Sequence, residues 1–305
     1  MGGRHPARLL LPLLFLLACA PPATVVALQA QVEPAHVVPG TPLRITVSGL
    51  AAGARLSGIF LDRELMFMPL DDGRWVAFAG VDLDVKPGRH PLRLRVEEAG
   101  ASLLEQATEI VVEDKDYPTE ELEVEPKYVD PPPEVSQRTA REAAALQALW
   151  DQASPEVLFD GATVRPLSGV PGRNFGRRRV FNGQPRSPHS GTDLSAASGT
   201  KVPASARGRV VMARDLYYSG NLVVLDHGGG VYTLYGHLSR INVAEGDLVK
   251  AGQSIGKVGA TGRVTGPHLH WGARIGEARV DPAVLLELLA GTDAAAPVSQ
   301  AAPRT

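Results

Sequence analysis

The stretch His268-Leu269-His270-Trp271 pairs with an earlier His189-Ser-Gly-Thr-Asp193, and the two together offer imidazole nitrogen and carboxylate oxygen to a metal ion. Successive side chains of an extended strand point to opposite faces, so His268 and His270, two apart, face the same way. One can bind metal while the other works beside it. Residues 187–194, Ser-Pro-His-Ser-Gly-Thr-Asp-Leu, carry Pro and Gly and read as a bend running into a short strand, able to wrap two ligands around one ion. Strand-borne ligands of this kind imply a β domain around the site.

Zinc takes imidazole nitrogen and carboxylate oxygen, and a catalytic zinc has three protein ligands with a fourth position left for water. Two His and one Asp fit that pattern. The sequence contains no His-Glu-x-x-His, which excludes the helical arrangement with a built-in Glu base. A substitute lies in Val231-Tyr-Thr-Leu-Tyr-Gly-His237-Leu238, whose alternation predicts a strand that ends at Gly236 and presents His237 at its edge. A purely structural zinc site is disfavoured, because such sites favour cysteine and the only one here is Cys19, near the N-terminus.

These three motifs, His189-x-x-x-Asp193, Tyr235-Gly-His237-Leu238 and His268-Leu-His270-Trp271, resemble the lysostaphin-like (LytM-type) zinc endopeptidases of the M23 family over roughly residues 161–285. The resemblance implies one Zn2+ held by His189, Asp193 and His270, with His268 and His237 flanking the water and the scissile carbonyl. It further implies hydrolysis of the peptide cross-links of peptidoglycan, with peptide stems as substrate. The rival within the family is a non-catalytic LytM-type activator of a cell-wall amidase, and the intact motifs favour the enzyme. Chemistry supports the same roles: a neutral imidazole accepts the water's proton, and a protonated one donates to the oxyanion or the leaving amine. The base role is assigned to His268 and oxyanion stabilisation to His237. His5, His36 and His90 read as surface residues, and His227, in Leu225-Asp-His-Gly-Gly-Gly230, as a turn residue.

The expected fold is mainly β, and 305 residues suit two domains. Residues 28–113 form a small β-sandwich, predicted from the alternating Leu43–Val47, Trp75–Phe78 and Leu92–Val96 with Pro-Gly and Asp-Gly turns between them. The resemblance makes this the β-rich domain that precedes some Gram-negative M23 peptidases. Residues 114–160 are an acidic, Pro-rich linker followed by a helix over 136–150 with Ser136 as its N-cap, and Leu146, Leu149 and Trp150 form an apolar stripe. Residues 161–290 form the antiparallel-β peptidase domain, and 291–305 a disordered tail. Gly246–Gln253 also resembles the turn of biotinyl and lipoyl carrier domains, but no modifiable Lys sits in the Met-Lys-Met or Asp-Lys-Ala setting a carrier needs.

A formal net charge of -2 gives no reason to expect nucleic acid as a partner. Arg177-Arg-Arg179 and Arg186 form a local basic cluster, either a solvated loop or a contact for stem carboxylates. Residues 1–27 read as a signal peptide: Arg4 and Arg8, an apolar run from Leu9 to Leu17, then small residues. Leu16-Leu-Ala-Cys19 resembles a lipoprotein signal, and a lipidated Cys19 with Ala20 behind it implies the outer membrane. The competing site is ordinary cleavage at Val25-Val-Ala27. The expected location is the periplasmic cell envelope, with a regulatory envelope protein as a further partner.

Overall fold

In the computed structural model, residues 28–51, 53–98, 101–167, 172, 174–290 and 292 are described, the side chains of 101–103 excepted. The expected signal peptide, Cys19 and the tail after Thr292 lie outside these residues. Thr292 itself is buried, and its hydroxyl accepts a hydrogen bond from Arg44 Nη1 at 2.9 Å.

The alternation at the N-terminal end builds two four-stranded sheets from β1 (Gln29–Glu33), β2 (Pro42–Ser48), β3 (Arg55–Phe60), β4 (Arg63–Glu64), β5 (Met68–Pro69), β6 (Trp75–Gly80), β7 (Gly88–Glu98) and β8 (Ala101–Val112). Their strand orders are β1-β2-β6-β5 and β4-β3-β7-β8, all antiparallel. Every second residue of β2, Leu43, Ile45 and Val47, is fully buried and meets Phe60, Leu92, Leu94 and Ile110 of the other sheet. Burial of each such side chain contributes about 1.5–3 kcal/mol. The result is the expected sandwich.

The acidic segment departs from an extended linker. Thr119–Leu122 forms β9, which pairs in parallel with β10 (Arg178–Phe181). Charge explains the docking: Glu120 meets Arg177 and Arg179, and Asp116 meets Arg178 at 3.1 Å. Asn182 then imitates a further strand residue, accepting from Val124 N–H and donating to Val124 C=O, both at 2.9 Å. The helix α1 runs over Pro133–Trp150, three residues longer than expected. Pro132 is its N-cap and Pro133 starts it, because a proline at the first helical position loses no hydrogen bond. Ser136 lies inside the first turn. Leu146, Leu149 and Trp150 pack on Met212, Leu216, Leu222 and Tyr232.

The C-terminal β unit contains β11 (Gln184–Arg186), β12 (Gly191–Ser195), β13 (Lys201–Pro203), β14 (Gly208–Leu216), β15 (Gly220–Asp226), β16 (Val231–Ile241), β17 (Leu248–Val249), β18 (Ser254–Val258), β19 (His268–Ile275), β20 (Ala278–Val280) and α2 (Pro282–Ala290). Nine strands join in one antiparallel sheet whose main path is β12-β19-β16-β15-β14-β17. Leu269 and Trp271 of β19 are fully buried among Leu194, Val202, Tyr235 and Leu238, which turns His268 and His270 to the opposite face.

The two β units share one core. Met68, Val76 and Phe78 of the sandwich pack with Phe159, Val231, Ala273 and Leu285, and Phe78 meets Phe159 edge-on at 5.5 Å. Arg279 closes this interface on Asp82, with N–H to Oδ2 at 2.8 Å and Nη2 to Oδ1 at 2.5 Å.

Candidate metal centre

His189 stands in the loop before β12, Asp193 within β12 and His270 within β19. The β12–β19 ladder sets Asp193 directly opposite His270, so backbone pairing brings these two candidate ligands together. Asp193 Oδ1 lies 3.1 Å from His189 Nε2 and 3.0 Å from His270 Nδ1, and the two nitrogens are 3.0 Å apart. Donors held by a tetrahedral zinc at about 2.0–2.2 Å stand roughly 3.3 Å from one another. The triangle is within a few tenths of an ångström of one face of that tetrahedron.

Protonation supports a cation at this point. His189 Nδ1 donates to the carbonyl of Asn174 at 3.0 Å, which leaves Nε2 bare in the neutral ring. Burial, reinforced by the charge of His270 and opposed by the hydrogen bond to Asp193, lowers the pKa of His189 to about 4. At neutral pH a lone pair on His189 Nε2 therefore faces a carboxylate oxygen 3.1 Å away. Two acceptors at that distance repel unless a cation, or a shared donor such as His270 Nδ1–H at 3.0 Å from both, lies beside them. Burial alone would raise the pKa of Asp193, but the hydrogen bonds and charge that His189 and His270 supply when protonated outweigh it and hold its carboxyl well below the usual range.

Three residues support this cluster that the motifs did not single out for the site. Asn174 Nδ2 donates to Asp193 Oδ2 at 3.0 Å while its Oδ1 accepts from Asp193 N–H at 2.9 Å. Arg179, expected in a solvated or substrate-contacting loop, is instead mostly buried and donates to the same Oδ2 at 3.1 Å. Oδ2 is thereby occupied and Oδ1 is left for the cluster. Gly191 provides room: a Cβ there would lie 2.7 Å from the His270 ring and 2.7 Å from Trp271 C=O.

His237 and His268 complete a cavity of about 240 Å3 with His189, Asp193 and His270. Their rings are 4.9 Å apart, and His237 lies 5.8 Å from His270. The strand carrying His237 does not end at Gly236. β16 runs on to Ile241, and a bulge at this point, where Tyr235 and Leu238 pair with Val223 and Asn221, sets His237 at φ 61°. Bulges of this kind re-aim a side chain, and a left-handed non-glycine residue is strained. His237 N–H donates to Ser219 C=O at 2.8 Å and Nδ1 to Thr261 C=O at 2.9 Å, which hold that conformation. His268 Nδ1 donates to Gly266 C=O at 2.9 Å, and its Nε2 lies 3.6 Å from Asp193 Oδ1, outside the tight triangle. Burial, with the charges of His270 and His268, pushes the pKa of His237 down to about 3.

His227 lies away from the cavity, fully buried, with Nδ1 donating to Arg207 C=O at 2.8 Å and Nε2 accepting from Thr233 Oγ1 at 2.7 Å. His36 pairs with Glu113 on the surface, and half-buried His90 bonds to Lys86 C=O.

The sequence model of peptidase family M23 matches residues 187–282, the stretch that carries every histidine of the cavity. A Pseudomonas aeruginosa crystal structure assigned to peptidase M23 is 31% identical, covers 82% of this chain and 94% of its own, and superposes with a TM-score of 0.64. The chain belongs to peptidase family M23. At 82% of this chain, that similarity extends well beyond the residues matched by the family model. Among curated M23 relatives, peptidoglycan DD-endopeptidase ShyA of Vibrio cholerae serotype O1 is 50% identical over 99 residues, 32% of this chain and 23% of ShyA. DD-carboxypeptidase/endopeptidase Mpg of Neisseria meningitidis serogroup B is 49% identical over 94 residues, 31% of this chain and 22% of Mpg. The match to this M23 chain thus spans under a quarter of those relatives' length.

Proposed function

We propose that the chain is a zinc-dependent endopeptidase that hydrolyses peptide cross-links of peptidoglycan. The observation that carries this reading is the convergence of His189 Nε2, Asp193 Oδ1 and His270 Nδ1 within 3.0–3.1 Å, beside two further imidazoles in one cavity. Substrate class is supported by the similarity to the peptidoglycan DD-endopeptidase ShyA and to Mpg.

His189, Asp193 and His270 would hold the ion. When bound, zinc polarises the peptide carbonyl and brings the pKa of a coordinated water to about 7. His268 fits the general base: its Nδ1–H is committed to Gly266, so Nε2 is free to take the proton of the attacking water and return it to the leaving amine. His237 departs from an oxyanion donor. Its Nδ1–H is committed to Thr261 and burial holds the ring neutral, so Nε2 accepts a hydrogen bond from water or from a substrate N–H. The 2.9 Å and 2.8 Å bonds to Thr261 and Ser219 carbonyls keep it aimed.

Periplasmic placement, with residues 1–27 as signal and Cys19 as anchor, belongs to the same reading. No described helix is long and apolar enough to cross a membrane. The test measures zinc content together with new amine termini released from purified crosslinked sacculi. Stoichiometric zinc and new amines are expected. Zinc without amines, and hydrolysis only when an amidase is added, would assign the chain to the regulators.

A further inference from the structure

Two guanidinium groups, those of Arg179 and Arg263, line the cavity that holds His237 and His268, and their surroundings differ. Arg179 is matched by Asp193 at 3.1 Å and Glu120 at 3.6 Å. Arg263 lies in the turn before β19 and has no carboxylate partner among the described residues. The other cations near it, Arg179 and Arg186, repel it. Burial first, and then those neighbours, lower its pKa to about 10, so it remains charged at neutral pH.

The group is held in place. Its central carbon lies 4.6 Å from the ring centroid of Phe181 and 4.8 Å from that of Tyr218. The backbone beneath it is tied by Arg263 N–H to Tyr218 C=O at 2.9 Å and by Tyr128 O–H to Gly262 C=O at 2.8 Å. Contact with aromatic faces restricts a guanidinium while leaving its in-plane N–H donors available for two coplanar oxygens. A half-buried cation without an anion, placed beside two like charges, is unfavourable for folding. An anionic ligand in the cavity offsets that penalty. Among the groups of a peptide, a carboxylate alone combines negative charge with two coplanar acceptors.

We infer that Arg263 is a specificity-determining residue that binds a free carboxylate of the substrate peptide next to the scissile bond. This rests on the endopeptidase reading above. The substrates preferred by the cavity are then stems whose neighbouring carboxylate is free, and amidated stems are disfavoured.

The test uses the full chain and two muropeptide dimers that differ only in whether the carboxylates beside the scissile bond are free or converted to carboxamides. A bidentate charge-assisted pair gives the wild type a preference of about 10- to 100-fold in kcat/KM for the free carboxylate. In Arg263→Gln that ratio falls toward one, and in Arg263→Lys, which keeps charge without the planar fork, it takes an intermediate value. A ratio is insensitive to a general loss of folded enzyme. A wild type without preference, or an Arg263→Gln ratio equal to wild type, overturns the inference. Calorimetry of the zinc-free protein with the stem peptide that carries this carboxylate, free and amidated, separates this from the parent reading. Should zinc-loaded wild type cleave neither dimer, the endopeptidase reading fails. Tighter binding of the free stem peptide, lost in Arg263→Gln, still sustains the carboxylate site, and equal binding of both forms overturns it.

Discussion

Asn174→Ala tests whether the metal triangle depends on the groups behind it. Asn174 bonds Asp193 twice through its side chain, Nδ2 to Oδ2 at 3.0 Å and Oδ1 to the backbone N–H at 2.9 Å. Alanine removes both and keeps the Asn174 carbonyl that orients His189. Leaving the partly buried N–H without a partner costs about 1–3 kcal/mol, and losing a partner of a ligating group typically weakens metal binding about 10- to 100-fold. Arg179 still holds Oδ2 at 3.1 Å, which argues for the lower half of that range. The assay is zinc affinity by chelator competition, together with the zinc-induced rise in unfolding free energy. At free zinc 100 times the wild-type Kd, that rise is about 2.7 kcal/mol, and a tenfold weaker site reduces it to about 1.4 kcal/mol. A Kd within twofold of wild type and an undiminished zinc increment would show that Asp193 is held by the β12–β19 ladder alone and would refute the reasoning.

His189→Ala removes a ligand, so zinc content and hydrolysis are expected to fall together, whereas His268→Ala keeps the ion and loses about 10²–10⁴-fold in rate; atomic emission beside dimer hydrolysis checks both. Retained zinc in the first variant or lost zinc in the second reverses the assignment. Gly191→Ala drives a Cβ to 2.7 Å from the His270 ring, which must shift, and zinc affinity is expected to fall while the zinc-free protein stays folded, as chelator competition and circular dichroism would report. Asp226 concerns stability: burial, opposed by Gly228 N–H and Arg209, raises its pKa from 3.8 to about 6. Because the folded-state pKa exceeds the unfolded one, the penalty is absent below about pH 4, grows as the pH rises, and is complete above about pH 6, where it reaches about 3 kcal/mol at most. Asp226→Asn retains the acceptor for Gly228 N–H and is expected to raise Tm by several degrees at pH 8 and not at pH 4; a Tm gain that is equal at both pH values removes the charge explanation.

What was legible in the sequence follows a physical division. The His-x-His spacing declares its geometry because strand periodicity is local, and the buried Leu269 and Trp271 between and after the two histidines fix which face they take. Alternation at Leu43, Ile45 and Val47 made the sandwich readable for the same reason. Asn174 gave no comparable signal. It lies 15 residues before His189 and 19 before Asp193, in a loop whose path no periodicity dictates. The sequence pattern ends the strand at Gly236, five residues before its observed end at Ile241, because a glycine within an alternating run marks a stop or a bulge equally well. Only the pairing with β15 distinguishes them.

The acidic segment shows where composition misleads about structure while being right about energetics. Glu120-Glu-Leu-Glu-Val-Glu125 has too little apolar surface to fold by itself, and the arginine run at 177–179 taken alone suggests a solvated loop. Each is the other's partner: parallel pairing of β9 with β10 brings Glu120 between Arg177 and Arg179 and lays Leu122 and Val124 along the cavity wall. Exposed ion pairs contribute little, but Glu120 and Arg179 are both largely screened from solvent, and Arg179 also supports Asp193. The segment is therefore joined to the metal centre through one guanidinium. Glu120→Gln is expected to leave β9 paired through its backbone while weakening the hold on Arg179, so the zinc Kd should rise by a fewfold and by less than in Asn174→Ala. A larger loss in Glu120→Gln than in Asn174→Ala, read by the same chelator competition, would mean that the segment supports Asp193 more strongly than its nearest hydrogen-bond donor does, against the distances of 3.6 Å and 3.0 Å on which the ranking rests.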